Sequence, residues 1–204
     1  MTSIVLAGGR GSRLGREKHG EVIAGKGLVE RTIGRLSVLS SDILIVISGR
    51  QSRSLFTSLK ARTVIDLFPD AGSLGGIYTG LVYARTHHSL VVACDMPFLN
   101  LDLLRYMIAL APEYDVVVPA VGSNVEPLHA IYSKNCLKPV ESLLKQGNLR
   151  ITAFYDQVRV RTVGGDEIDK FDPDHLSFFN VNTHADLEKA RKLAIIERTS
   201  EVTG

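Results

Sequence analysis

Thr2-Ser3-Ile4-Val5-Leu6-Ala7-Gly8-Gly9-Arg10-Gly11-Ser12-Arg13-Leu14-Gly15, followed by Lys18, is the stretch from which the rest of this chain is best read. A mostly apolar, β-branched run that breaks into glycines predicts a strand over residues 2–7 running into a loop. Glycine at Gly8, Gly9 and Gly11 places no Cβ between the backbone and a ligand, so successive N–H groups there suit an anion. Arg10, Arg13 and Lys18 add three cations in or just after the loop. Amide donors and cations at a strand end suit a polyphosphate, and so a nucleotide.

The pattern that begins there continues along the chain. Strands are expected near residues 2–7, 42–48, 63–66, 89–94, 115–119 and 157–163. Helices are expected near 28–39, 51–59, 76–86, 101–111, 136–145 and 183–196, the last with Thr183 as N-cap. The runs Ile43-Leu44-Ile45-Val46-Ile47 and Leu90-Val91-Val92-Ala93 lack polar alternation, as central strands covered on both faces do. Alternating strands and helices predict an α/β fold, a three-layer α/β/α sandwich around a mostly parallel, Rossmann-like sheet. Ligands bind such sheets beyond the carboxyl ends of their strands, which would put the glycine loop and Asp95 in one crevice.

The 204 residues, 45% hydrophobic and 23% charged, fit one domain spanning 1–204, with 197–204 as a flexible polar tail. A net charge of +2 argues against nucleic acid as the partner. No apolar run is long enough to span a bilayer and no signal peptide opens the chain, so no membrane is expected and the cytoplasm is the expected compartment. Cys94 and Cys136 lie too far apart for a metal-type pair and read as reduced, buried thiols.

Two glycine patterns are decoys. Gly9-x-Gly11 lacks the third glycine of a dinucleotide fingerprint, where Leu14 stands. Gly20-x-x-x-x-Gly25-Lys26 has Gly27 where a P-loop needs Ser or Thr, and reads as a turn before a helix starting near Leu28. Asp95 follows a buried strand and precedes Met96-Pro97. Its carboxylate suits Mg²⁺ bound to a triphosphate, the alternative being a cap for the next helix, which starts nearer Asn100. Asp66 ends another strand before Ser73-Leu74-Gly75-Gly76-Ile77. A carboxylate there can accept from guanine N1–H and N2–H₂, donors adenine does not pair in this way, and it can equally form a turn. Gly75 and Gly76 permit either close ligand approach or a tight strand–helix turn. In Glu126-Pro127-Leu128-His129-Ala130-Ile131-Tyr132, Glu126 or His129 would meet a second substrate. The plainer reading is a strand with a hydrogen-bonded core histidine at His129. In Asn180-Val181-Asn182-Thr183 the two amides share one face, suiting an oxygen-rich ligand or a local turn network. Without a nucleophile elbow, a zincin helix or a Ser/His/Asp set, direct phosphoryl or nucleotidyl transfer is the favoured chemistry.

Leu6-Ala7-Gly8-Gly9-Arg10-Gly11-Ser12-Arg13-Leu14-Gly15 with Lys18, then Asp66, Ser73-Leu74-Gly75-Gly76-Ile77, Cys94-Asp95-Met96-Pro97, the 126–132 motif, and Asn180-Val181-Asn182-Thr183 with Asp186-Leu187 resemble, in order, the MobA family of molybdenum cofactor guanylyltransferases. The resemblance implies a nucleotide-diphospho-sugar transferase fold. It implies GMP transfer from GTP to molybdenum-bound molybdopterin, with Mg²⁺ as cofactor, giving the pterin guanine dinucleotide and pyrophosphate. It implies that Leu6, Ala7, Gly8, Lys18, Asp66 and Asp95 bind the nucleotide and that Asp95 also holds the metal; Gly9 and Gly75, from the glycine patterns, are expected to bind the nucleotide beside them. Arg13, Lys18 and Asp95 are the expected catalytic set, and Glu126, Asn180 and Asn182 the acceptor side. A monomer in transient contact with other cofactor-biosynthesis proteins is expected. Departures are Glu17-Lys18 for the family's Asp-Lys, His19 for an apolar residue, and His184 where a proline is common. Cytidylyl transfer to the same pterin, or nucleotidyl transfer to a sugar phosphate or phospholactate, are the alternative activities.

Overall fold

The computed structural model describes residues 1–8, 22–49 and 53–202, for 197–202 the backbone only. Ten strands are present among these residues: β1 (Thr2–Leu6), β2 (Val22–Ile23), β3 (Lys26–Gly27), β4 (Asp42–Ile47), β5 (Arg62–Ile65), β6 (His88–Ala93), β7 (Val116–Val121), β8 (Asn124–Val125), β9 (His129–Ser133) and β10 (Val160–Val163). The helices are α1 (Leu28–Leu36), α2 (Gly72–Tyr83), α3 (Leu101–Leu110), α4 (Leu137–Lys145), the single turn α5 (Gly165–Ile168) and α6 (His184–Val202). The main sheet runs in the order β10-β7-β9-β6-β1-β4-β5, with β8 paired to β7. Its pairings are parallel except those of β9 with β6 and β7 and of β8 with β7. This is the expected three-layer α/β architecture.

Successive residues of the central strands bury into opposite layers. Val5, Ile45 and Val92 join a core with Ile33, Leu36, Leu103 and Met107 of α1 and α3. Ile4, Leu44 and Val91 join another with Ile77, Leu81, Val140 and Leu143 of α2 and α4. A strand buried on both faces has no polar side to present, which is why these runs read as continuous apolar stretches. A third cluster joins Ile23, Leu28, Phe98, Val181, Leu187, Ala190 and Ala194, docking α6 and the β2–β3 hairpin against the sheet end. The hairpin turns through Ala24 (φ 50) and Gly25 (φ 82), and Lys26–Gly27, expected in a turn, is instead β3, which leads directly into α1; Gly20 lies outside the described residues.

Several expected elements are corrected. The helix expected over 51–59 is a short 3₁₀ turn, Arg53–Phe56, in which only Phe56 is buried; one apolar anchor does not make a helical stripe. The strand expected over 157–163 forms only at Val160–Val163, and Ile151–Gln157 is 3₁₀. Helix α1 ends at Leu36, not 39. Helix α2 runs from Gly72 to Tyr83, starting four residues before the expected Gly76 and ending before 86. Glycines weaken an isolated helix, but here they bring it onto β1. A Cβ on Gly76 would stand 3.2 Å from Leu6 Cδ2, and one on Gly80 2.6 Å from Ile4 Cγ2. Helix α6 does not stop at Ile196; its backbone is helical through Val202, where a polar tail is expected. Strands β2, β3 and β8 are short additions that alternation does not mark. No helix among the described residues is long and apolar enough to cross a membrane. Cys94 and Cys136 are both buried and form no disulfide with each other, and burial pushes the Cys136 thiol up to about 12.

Candidate active site

The parallel strands end along one edge, and the ladder extends one residue further there. Ala7 N–H donates to Val46 O (2.9 Å), Cys94 N–H to Leu6 O (3.2 Å) and Asp66 N–H to Ile47 O (2.8 Å). Leu6, Ala7, Gly8, Asp66 and Asp95 are thereby carried to the carboxyl ends of adjacent strands. A Cβ on exposed Gly8 would lie 2.7 Å from Ser48 N, so glycine is what allows the segments after β1 and β4 to abut. Gly9, Arg13 and Lys18 lie outside the described residues, as does Arg10.

Asp66 is half-buried beyond β5. Its Oδ1 accepts from Phe68 N–H (3.0 Å) and from the Thr79 hydroxyl (2.7 Å), so the turn reading is realised. Gly75 is buried, and a Cβ there would meet Phe68 O at 2.9 Å and Ala71 Cβ at 3.0 Å. For Gly75 the tight strand–helix turn, one of the two readings open in the sequence, is therefore present.

Asp95, also half-buried, follows β6. It does not cap α3. That cap is Asn100, whose side chain accepts from the N–H groups of Asp102 (3.0 Å) and Leu103 (2.9 Å). The main-chain carbonyl of Asp95 accepts from Val181 N–H at 2.9 Å. Val181 is fully buried, Asn180 half-buried and Asn182 exposed, as alternation predicts, so both amides flank the backbone bonded to Asp95. Part of the local-network reading also holds. Asn180 Nδ2 donates to Phe178 O (3.1 Å), and Asp186 accepts from the N–H groups of Asn182 (3.1 Å) and Thr183 (2.8 Å) while Thr183 Oγ1 accepts from Asp186 N–H (3.2 Å). Thr183 is thus the N-cap of α6.

Among the described residues no three His, Cys, Asp or Glu side chains cluster to hold a metal ion by themselves. A single carboxylate at Asp95 fits a cation that takes its remaining ligands from nucleotide phosphates and water, as Mg²⁺ does. It does not fit a resident protein-caged ion.

Ala93 N–H donates to Leu128 O (3.0 Å), which sets the 126–132 motif beside the end of β6. Glu126 is half-buried, held by its own N–H on Pro119 O (2.8 Å), and burial pushes its carboxyl pKa up. His129 lies on β9, as the plainer reading has it, but it is not hydrogen-bonded through its ring. It is fully buried, and neither ring nitrogen has a partner among the described residues. Its strand face packs into apolar core, with the Phe178 ring 5.0 Å away, and burial pulls its pKa down to about 3.

Sequence reading missed the residues that brace this wall. Asn100 Nδ2 donates to Phe171 O (2.7 Å), Asn100 N–H donates to Ser177 Oγ (2.8 Å), and Asp172 accepts from Leu176 N–H (3.1 Å) and Ser177 N–H (2.8 Å). The only local signal was the Asn100 cap; the partners lie more than 70 residues away.

The strand order, with one antiparallel strand between β6 and β7, and the gathering of Gly8, Asp66 and Asp95 at the strand ends define the class by its fold: that of the nucleotide-diphospho-sugar transferases. Residues 3–160 match the family model described as MobA-like NTP transferase domain, and the chain belongs to that family. It is 38% identical, over 98% of its length and 97% of the relative's, to the "Probable molybdenum cofactor guanylyltransferase" of Pelotomaculum thermopropionicum. To the "Molybdenum cofactor guanylyltransferase" of Desulfosudis oleivorans it is 36% identical over 93% and 94%. The crystal structure of molybdopterin-guanine dinucleotide biosynthesis protein A from Archaeoglobus fulgidus superposes with a TM-score of 0.83, at 29% identity, over 95% of this chain and 98% of that one.

Proposed function

We propose that this chain transfers GMP from GTP to molybdenum-bound molybdopterin, forming the pterin guanine dinucleotide and releasing pyrophosphate. The observation that carries the reading is the register across the strand ends. It brings the Leu6–Gly8 segment and Asp66 to one side of Asp95 and Glu126 to the other, while Asn180 and Asn182 flank the Val181 amide that donates to Asp95 O. A donor nucleotide on the first side and an acceptor on the second would meet beside Asp95. The names borne by relatives that align over nearly the whole chain support the same substrates.

In this reading Leu6, Ala7, Gly8 and Gly9 hold the nucleotide by main-chain groups, and Asp66 meets the base. Gly75 keeps the start of α2 close to Asp66. The acceptor phosphate attacks the α-phosphorus in line and pyrophosphate leaves. Arg13 and Lys18, assigned on sequence, offset charge gathering on the leaving group. Asp95 would hold Mg²⁺, which when bound supplies Lewis-acid neutralisation of phosphate charge. Asn180 and Asn182 orient the acceptor, and half-buried Glu126 limits water on its side. The remaining work is positioning, because the transfer needs no protein nucleophile. The chain would act as a monomer in the cytoplasm.

Pyrophosphate release from GTP, CTP or ATP, each with and without the molybdenum-loaded pterin and Mg²⁺, tests the reading. Acceptor-dependent release with GTP supports it. Preference for CTP, or release only with a sugar phosphate, refutes it.

A further inference from the structure

Thr79 is a fully buried hydroxyl in the middle of α2, between Tyr78 and Gly80. Its oxygen accepts from Leu67 N–H at 2.9 Å and donates to Asp66 Oδ1 at 2.7 Å. A hydroxyl has one proton, and the Leu67 amide meets its lone pair, so that proton is committed to the carboxylate. Phe68 N–H donates to the same oxygen at 3.0 Å, which leaves Oδ1 with two donors. Among the described residues Oδ2 has no hydrogen bond or ion pair. It lies 3.2 Å from the place a Cβ on Gly75 would occupy, so the missing side chain keeps that oxygen clear. The Asp66 main chain is fixed too, through its N–H on Ile47 O at 2.8 Å.

We propose that Thr79 is a positioning residue for base discrimination. By occupying Oδ1 it locks the Asp66 side chain, so that Oδ2 alone is presented to the donor edge of a guanine, N1–H and the exocyclic amine. Adenine carries an acceptor at N1 and would meet that oxygen lone pair to lone pair. The inference rests on the proposed contact between Asp66 and the base, and it adds that the contact is made selective from 13 residues away in sequence.

The test is calorimetric titration of the full chain with GTP and with ATP, alongside thermal melts. Thr79→Val keeps the shape and removes the hydroxyl. It is expected to reduce the preference for GTP over ATP about tenfold, the effect of freeing a charge-assisted hydrogen bond. Thr79→Ser restores the hydroxyl and is expected to keep the preference within about twofold of wild type. A purely structural role would shift the melting temperature of Thr79→Val and leave the GTP-to-ATP ratio alone. In Asp66→Asn, Thr79 and Phe68 still require an oxygen at the Oδ1 position, so the amide NH₂ takes the other place and preference turns toward ATP. Should Thr79→Val not fold, this reversal carries the test; equal loss of both nucleotides in Asp66→Asn overturns the inference. A wild-type ratio in folded Thr79→Val, with an altered ratio in Asp66→Asn, overturns the role of Thr79 while Asp66 stands. A wild-type ratio in Asp66→Asn removes Asp66 from the base and the inference with it. Folded wild type that binds neither nucleotide refutes the proposed function itself.

Discussion

Acidification should destabilise this protein through His129 before its carboxylates respond. The ring is fully buried with no hydrogen-bond partner among the described residues, and its pKa falls from 6.5 to about 3. The unfolded chain binds a proton near pH 6.5, whereas the folded chain does not until near pH 3. Between those values the unfolded state holds more protons, so stability falls as pH falls. At about 1.4 kcal/mol per pH unit, the loss on reaching pH 5 is ~2 kcal/mol, an appreciable share of the ~5–15 kcal/mol typical of a domain. Asp42 and Asp115 have lowered pKa values, so the stability they contribute is complete above their ordinary value of 3.8 and is lost only below it. Glu126 acts in the opposite direction, since its raised pKa makes acidification toward 4.5 a relief. Urea titrations at pH 7 and pH 5 on wild type and His129→Leu isolate the effect. Wild type should lose ~2 kcal/mol more than the variant, and at pH 7 the variant should be close to neutral, because a buried polar group without a partner has been replaced by an apolar one. Equal losses in both proteins would refute the reasoning.

Asp95→Asn should lower turnover at least ~100-fold with an unchanged melting temperature, as measured by pyrophosphate release and calorimetry; near-normal turnover removes Asp95 from the chemistry. Gly80→Ala places a Cβ 2.6 Å from Cγ2 of fully buried Ile4, a methyl fixed to its branch point, and should cost ~1–3 kcal/mol in denaturant titrations. Asp115 accepts from Ser133 Oγ (3.1 Å), Asn135 Nδ2 (2.7 Å) and Arg159 N–H (3.0 Å), bonds that hold its pKa at about 2 despite burial. Asp115→Ala should destabilise the fold by ~1–3 kcal/mol at pH 7, and the difference from wild type should shrink as pH falls from 3.8 toward 2.

Much of this was legible in the residues, because it depends on neighbours in the chain. The apolar runs at Ile43–Ile47 and Leu90–Ala93 announce two-sided burial, and an acid directly after such a run, as at Asp95, falls at the ligand edge of the sheet whatever the rest of the chain does. Asn180, Val181 and Asn182 alternate in burial as expected, although the segment belongs to no strand. What escaped depends on partners distant in sequence. Glycines in α2 look like a late start until Ile4 and Leu6 are beneath them. Thr79 lies 13 residues from Asp66 in the chain, and only the fold shows that its proton goes to that carboxylate. His129 sits at a position where a partner is the ordinary expectation, and only the fold reveals that its ring has none among the described residues.

Strand β9 lies between β6 and β7, although the ribosome delivers β7 first. During synthesis, therefore, β6 and β7 are two open edges, each with unpaired amides and carbonyls, and they stay so until residues 129–133 emerge and slide between them. The same event sets Leu128 against Ala93 at the end of β6, and the far edge of β7 waits longer still, for β10. A nascent chain stalled before β9 emerges carries an assembled β1–β4 half and a pair of exposed templates for aggregation, so the interval between the appearance of β7 and of β9 is when this protein most needs a chaperone.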